Sequence, residues 1–477
     1  MKPNASRALS ATLLLGALSL GPAPGVRAAE EKPLPADLPP FGEDRPLPEP
    51  RIQQSRTPEG LTVWLVPRPG FPKLTAILAA RGGDAADPRG QEGISELLAQ
   101  TLKEGTATRS SKMIAEQLQA VGGEITAADT NDAILITVNG LATGADRVVE
   151  ILADVARNAA FPAAEVELAK RNALQNLKVR ASTPEFVADK TFRAAVYGDH
   201  PYHIIAPTEA ALTAATPELL KKEYARRLRP ERSLLVVVGD LNAATLTKAI
   251  TKAFAGWKGT GEEASPTPPS PTAGERKLIV VDRPGSVQST LIVGRPTLPV
   301  TDPDYFPLLV ANTIFGGSFG SRLTKNIRED KGYTYSPGSG VSAREKGGLL
   351  RVRADVRNEV TGASLLEVFY EMDRLGATQP SEEELRTAKR YQAGLYLLRN
   401  QIQDSVARTL ATNWINGLPP EALGQFVTKV NAVTADQVHR LGRSVFPSNH
   451  QTVVVVGDKS KIAEEVAQFG NVAEMSQ

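Results

Sequence analysis

No cysteine occurs in the 477 residues, so neither a disulfide framework, a thiolate metal site nor a lipid-modified cysteine is available. Histidine is nearly as scarce. His200, His203, His439 and His450 are the whole set, and no two are spaced i, i+4 as a helical zinc pair requires. Past residue 28 no window offers about twenty uninterrupted apolar residues, which excludes a membrane-spanning helix. Charge of either sign is not in excess: the formal net charge is +2, and Lys2, Arg7 and Arg27 supply three positive charges to a leader without acids. The remainder is therefore close to neutrality, which argues against nucleic acid or an anionic membrane surface as partner.

What is present reads as ordinary globular protein, with 41% hydrophobic and 23% charged residues. The length suggests two to four domains at roughly 100–200 residues each. Residues 1–28 combine Lys2 and Arg7, a short apolar run from Ala11 to Leu18 and the small-residue site Val26-Arg27-Ala28 before Ala29. That is the pattern of a cleaved secretory signal peptide, and with no cysteine it implies a periplasmic protein. Residues 29–54 form a proline-rich, acidic arm that drapes over a partner or over the body of the protein. A second proline-rich stretch at 258–275 reads as a semi-rigid linker between halves at 55–257 and 276–477.

The two halves repeat one another. Val66-Pro67-Arg68-Pro69-Gly70 recurs as Val281-Asp282-Arg283-Pro284-Gly285, an offset of 215. Pro162 with Ala169-Lys170 recurs as Pro380 with Ala388-Lys389, and the run Leu234 to Asp240 recurs as Thr452 to Asp458, at offsets of 218 to 219. A nearly constant offset in three places indicates tandem duplication. Strands are expected at 61–66, 74–79 and 133–138, and helices at 93–103 and 111–121. Clustered strands mixed with helical hairpins predict an α+β fold: two homologous halves, each an antiparallel sheet packed with helices.

Arg81-Gly82-Gly83, Gly93-Ile94-Ser95, Lys103-Glu104-Gly105-Thr106 and, in the second half, Phe315 to Leu323 resemble segments of the pitrilysin and mitochondrial-processing-peptidase family of inverted zincins. In that family the first half carries His-x-x-Glu-His on a helix, framed by glycines. The frame is here in Arg81-Gly82-Gly83, Gly93-Ile94-Ser95 and Lys103-Glu104-Gly105-Thr106, but the motif positions read Glu96, Leu97, Leu98, Ala99 and Gln100. Asn176 stands where the downstream ligand is expected. Both histidines and the general base are replaced, and Glu96 with Gln100 reads as a solvated helix face. Asp199-His200-Pro201-Tyr202-His203 looks locally like a metal cluster, yet Pro201 favours a turn and a structural role.

The second half keeps what the first has lost. Phe315-Gly316-Gly317-Ser318-Phe319-Gly320-Ser321-Arg322-Leu323, followed by Arg328-Glu329 and Tyr335-Ser336, matches the family's Gly-rich turn and its arginine–tyrosine pair. The resemblance implies a clamshell fold over about residues 55–460, with Arg328 and Tyr335 binding the substrate carbonyl. It also implies a non-proteolytic subunit that holds no zinc itself and serves a zinc-bearing partner of the same family on unfolded peptide substrates. The alternative is a peptide-binding or assembly scaffold with no hydrolytic partner.

Overall fold

The structure is a computed structural model that describes residues 51–473. The expected leader and the arm up to residue 50 lie outside the described residues. No helix among those described is long and apolar enough to cross a membrane.

In the first half the strands are β1 (Gln53–Arg56), β2 (Thr62–Pro67), β3 (Lys73–Arg81), β4 (Glu124–Asp129), β5 (Ala133–Leu141) and β6 (Ser233–Gly239). They form one six-stranded sheet in the order β1-β2-β6-β3-β5-β4. Helices α1 (Ile94–Thr101), α2 (Ser111–Gln119), α3 (Ala145–Asn158), α4 (Ala163–Ala181), α5 (Pro184–Tyr197), α6 (Glu209–Ala214), α7 (Pro217–Arg227) and α8 (Ala243–Ala253) fill the intervals.

The second half repeats this plan with β7 (Lys277–Asp282), β8 (Gln288–Thr297), β9 (Gly338–Ala343), β10 (Gly348–Arg357), β11 (Thr452–Gly457) and β12 (Val472–Ala473), in the order β12-β7-β11-β8-β10-β9. Its helices are α9 (Tyr305–Phe315), α10 (Arg322–Thr324), α11 (Thr361–Ala377), α12 (Glu382–Arg399), α13 (Gln403–Ile415), α14 (Ala422–Asn431), α15 (Ala435–Val445) and α16 (Lys459–Ala467). The repeated runs at 234–240 and 452–458 fall on β6 and β11, the inner strands that pair parallel with β2 and β7. Both sheets are otherwise largely antiparallel, as expected of the α+β class. Gly70 and Gly285 close the matching turns at φ 102° and 78°, a left-handed conformation that favours glycine.

Alternation along the strands gives each sheet two apolar faces. On β2, Val63 and Leu65 join the core built with the first half's own helices, whereas Trp64 and Val66 face the other way. That second face is covered from the other half, by Val406, Ala407, Leu410 and Ala411 of α13. The exchange is reciprocal: Ala188, Phe192 and Val196 of α5 pack beneath Ile279, Ile292 and Val454 of the second sheet. Arg81 adds a polar tie between the halves, donating to the Trp414 carbonyl at 2.7 Å and to Glu345 at 2.9 Å.

Two departures from the sequence expectation have simple causes. The arm expected to run to residue 54 gives way at Gln53 to β1, whose polar Gln-Gln-Ser-Arg carries no hydrophobic pattern and is held by backbone pairing to β2. The segment 258–276 has no helix or strand but is pinned by backbone contacts, Ser270 N–H donating to Lys346 O at 2.8 Å.

Candidate functional site

Helix α1 carries the degenerate motif, and its start is fixed by backbone geometry rather than by a capping side chain. Gly93 sits at φ 83°, and a Cβ there would lie 2.1 Å from Pro207 Cα, so only glycine fits. The Asp87 carboxylate accepts from Gly93 N–H at 2.7 Å and from the Ser95 hydroxyl at 2.5 Å. Asp87 in turn is held by Arg227 at 2.7 Å, which also pairs with Glu223, and all three side chains are sealed from solvent. Ile94, Leu97, Leu98 and Thr101 bury the inner face of α1, leaving Glu96 and Gln100 on the outer one.

That outer face borders a cleft of about 700 Å³. Its opposite wall is the free edge of the first sheet at β4, and α4, α5 and Arg351 of β10 close it, so both halves contribute. Gln100 donates to Glu96 at 3.2 Å, and the Arg180 guanidinium stands 3.8 Å from the same carboxylate. Ala99 presents only a methyl group. Asn176 is exposed on α4 one turn before Arg180 and does not line the cleft.

The floor is acidic. Burial and the adjacent Asp129 carboxylate push Asp84 up to about 10, so Asp84 keeps its proton at neutral pH and shares it with Asp129 in a hydrogen bond. Burial raises Glu96 as well, with Asp129 adding to it. Asp87 rises to about 6 because burial outweighs the Arg227 charge.

These groups do not fit zinc. A carboxylate already bonded to an amide, with a guanidinium beside it, supplies neither imidazole nor a free ligand set. Among the described residues no group of three His, Asp or Glu side chains is arranged to hold a metal ion. The His200 cluster is a turn, with His200 Nδ1 accepting from Tyr202 N–H and Nε2 3.0 Å from the Pro268 carbonyl, which ties the linker down.

Arg328 and Tyr335 lie elsewhere on the second half. Ser321 caps α10, Arg322 makes a two-pronged contact with Glu384 at 2.7 and 3.0 Å, and the chain continues through a π-helical turn at Lys325–Asp330. Arg328 emerges from that turn with its guanidinium between two rings, 4.6 Å from the Phe319 centroid and 4.8 Å from that of Tyr335. Tyr335 is 81% exposed and Phe319 63%, so the stack stands in solvent rather than in a core. The structure thus brings Arg328 and Tyr335 together, but not onto the α1 cleft, whose lining contains neither.

A link between the two places exists. Ser336, next to Tyr335, lines a depression of about 630 Å³ that shares Arg193 and Arg351 with the α1 cleft. Asp189 of α5 accepts from Arg351 at 2.7 Å and from Arg193 at 3.3 Å, forming the partition between them. Sequence reasoning passed over Asp84, Asp129, Arg180, Asp189, Arg193 and Arg351. The single legible signal was the alternation Arg351, Arg353, Asp355 on β10, which puts three charges on one face of a strand.

The family model described as insulinase (peptidase family M16) matches residues 65–207, and that of the peptidase M16 inactive domain matches residues 214–391. The chain is 25% identical over 372 residues to the uncharacterized zinc protease YmxG of Bacillus subtilis, covering 76% of this chain and 88% of that one. It is 25% identical over 370 residues to an uncharacterized zinc protease of Mycobacterium leprae, covering 76% and 82%. Among solved structures, a peptidase M16 inactive domain from Pseudomonas fluorescens superposes with TM-score 0.79 at 22% identity, covering 85% of this chain and 97% of that one. A protease from Helicobacter pylori gives 0.80 at 18%, covering 86% and 99%. These neighbours share the clamshell α+β fold.

Proposed function

This chain belongs to the pitrilysin-type M16 peptidase family, and we propose from that membership that it is the non-proteolytic subunit of a heteromeric, periplasmic zinc peptidase. The observation that carries the reading is the Arg328 stack: a guanidinium and a phenol held together in solvent, on a chain whose α1 has no zinc ligands. An accessible phenol and a guanidinium with its fork of donors are suited to stacking on and hydrogen-bonding a peptide.

In this reading the partner subunit supplies the zinc ion and the general base. Arg328 donates two hydrogen bonds to the carbonyl of an unfolded peptide, and the Tyr335 hydroxyl donates one to the oxygen on which charge develops. Phe319 also contacts the guanidinium, 4.6 Å from its ring centroid, which restricts the side-chain freedom that remains to be lost when substrate arrives.

The test is co-purification from the native host, zinc analysis of the complex, and turnover after Arg328→Ala and Tyr335→Phe. Removing one oriented donor should slow the reconstituted complex roughly 10²–10³-fold while association is kept. Turnover unchanged in both variants would instead support a binding scaffold with no hydrolytic partner. Export is checked separately by the mass of the mature protein, expected to begin at Ala29.

A further inference from the structure

A second concavity, of about 850 Å³, lies wholly within the second half, and its lining includes neither α1 nor Arg328 and Tyr335. Its walls come from the start of α9, the end of α12, and α13 and α14. The floor is aromatic. The Tyr396 and Phe426 rings stack at 3.9 Å and 7° from parallel, and Phe306 meets Phe426 edge-on at 5.5 Å. Tyr396 donates its hydroxyl to the Leu423 carbonyl at 2.8 Å, which fixes its ring. Three cations stand at the rim, Arg399, Arg408 and Lys429, against one lining carboxylate, Asp302. Lys429 lies over the Phe306 ring at 5.6 Å, and Arg408 makes an exposed pair with Asp404 at 3.7 Å.

The described chain begins beside this groove. Ile52 packs against the apolar cluster that includes Leu423 and that Tyr396 borders. Gln54 donates to Glu421 at 3.3 Å, and the next residue, Ala422, lines the groove. Immediately upstream the sequence reads Pro46-Leu47-Pro48-Glu49-Pro50, the end of a stretch, 30–50, with seven prolines, six acidic residues and two basic ones.

Stacked aromatic grooves are the surfaces on which proline-rich segments dock, because such segments are already extended and lose little entropy. Charge and connectivity agree with that chemistry. An acidic segment meets three cations, and five residues at ~3.1 Å each reach across about 15 Å. Tethering raises the effective concentration of the segment to the millimolar range, enough for a contact that would be weak between separate molecules.

We propose that this aromatic groove is the seat of the chain's own proline-rich, acidic segment ending at Pro50.

The absence of native cysteine makes the test direct. In the full exported chain, Leu47→Cys paired with Thr412→Cys in the groove should oxidise to an intrachain disulfide. The rate should be roughly tenfold or more above that of Leu47→Cys paired with Ala115→Cys on α2, as expected for a tethered contact. Excess synthetic peptide of residues 30–50 should slow the first reaction, as should Lys429→Glu with Arg408→Glu. Hydrogen exchange across Thr409 to Leu418 should quicken when residues 30–50 are deleted. Equal oxidation rates for the two pairs, links between chains rather than within one, or exchange unchanged by the deletion would each overturn the proposal.

Discussion

The α1 cleft and the Arg328 stack handle charge in opposite ways. Around α1 every carboxylate is answered from within: Asp87 by Arg227, Asp84 by the proton it shares with Asp129, and Glu96 by Gln100 and Arg180. Around Arg328 the half-buried guanidinium rests on two exposed rings. Groups that satisfy one another internally hold a shape; groups left open to solvent can bind something else. The first half has kept the framework that once positions such a helix while its outer face turned inert, and the second has kept an accessible pair of donors.

The comparison can be broken most forcefully at Arg227. Arg227→Ala leaves Asp87 buried without its cation and takes one of two arginines from Glu223, which keeps Arg226 at 2.8 Å, and should cost about 3–5 kcal/mol in chemical denaturation. A loss below about 1 kcal/mol, the range of surface pairs, would show that the network is not what holds α1.

Asp84→Asn should act in the other direction. Asp84 is raised in the folded state, so the unfolded chain binds fewer protons between pH 4 and about 10 and stability falls as pH rises through that window. Removing the titration should stabilise the protein by roughly 1–3 kcal/mol at pH 8 and flatten the alkaline side of a Tm–pH profile. A variant less stable than the parent at pH 8 would contradict the shared-proton description.

Glu384 has the opposite sign. Arg322 holds its carboxyl down to about 2, so its contribution is complete above the ordinary value of 4.5 and is lost as pH falls from there toward 2. Because Glu384 is 36% exposed, Glu384→Gln should cost only about 0.5–1 kcal/mol at pH 7, less at pH 3, read by urea denaturation at both. The smallest effect is expected where exposure is greatest: Tyr335→Phe should leave stability within about 0.5 kcal/mol. A larger loss would make Tyr335 a packing residue and remove the contrast.

Much of the fold was legible because hydrophobic periodicity and the 218-residue offset are local or regular signals. β6 and β11, the paired turns at Gly70 and Gly285, and α1 with its glycine frame could be read directly. β4 and β1 were harder, since edge strands alternate weakly or not at all in hydrophobicity. The cleft's chemistry was not legible. Asp84 and Asp129 are 45 residues apart, and only the return of the chain past Thr130, whose carbonyl receives Asp84 N–H at 3.0 Å, brings them together. Nor does an apolar stripe on α5 or α13 say which sheet it will cover.

The exchange of α5 and α13 between the halves has a consequence for how the molecule comes into being. A first half emerging alone would carry its sheet with Trp64, Val66, Ile77 and Val236 uncovered, because their cover is encoded at residues 403–415. Neither half can reach its final state during synthesis until nearly the whole polypeptide has been made. A gene split within 258–275 would therefore yield two products, each with a sticky sheet face until it meets the other, and the two would have to be produced together to remain in solution.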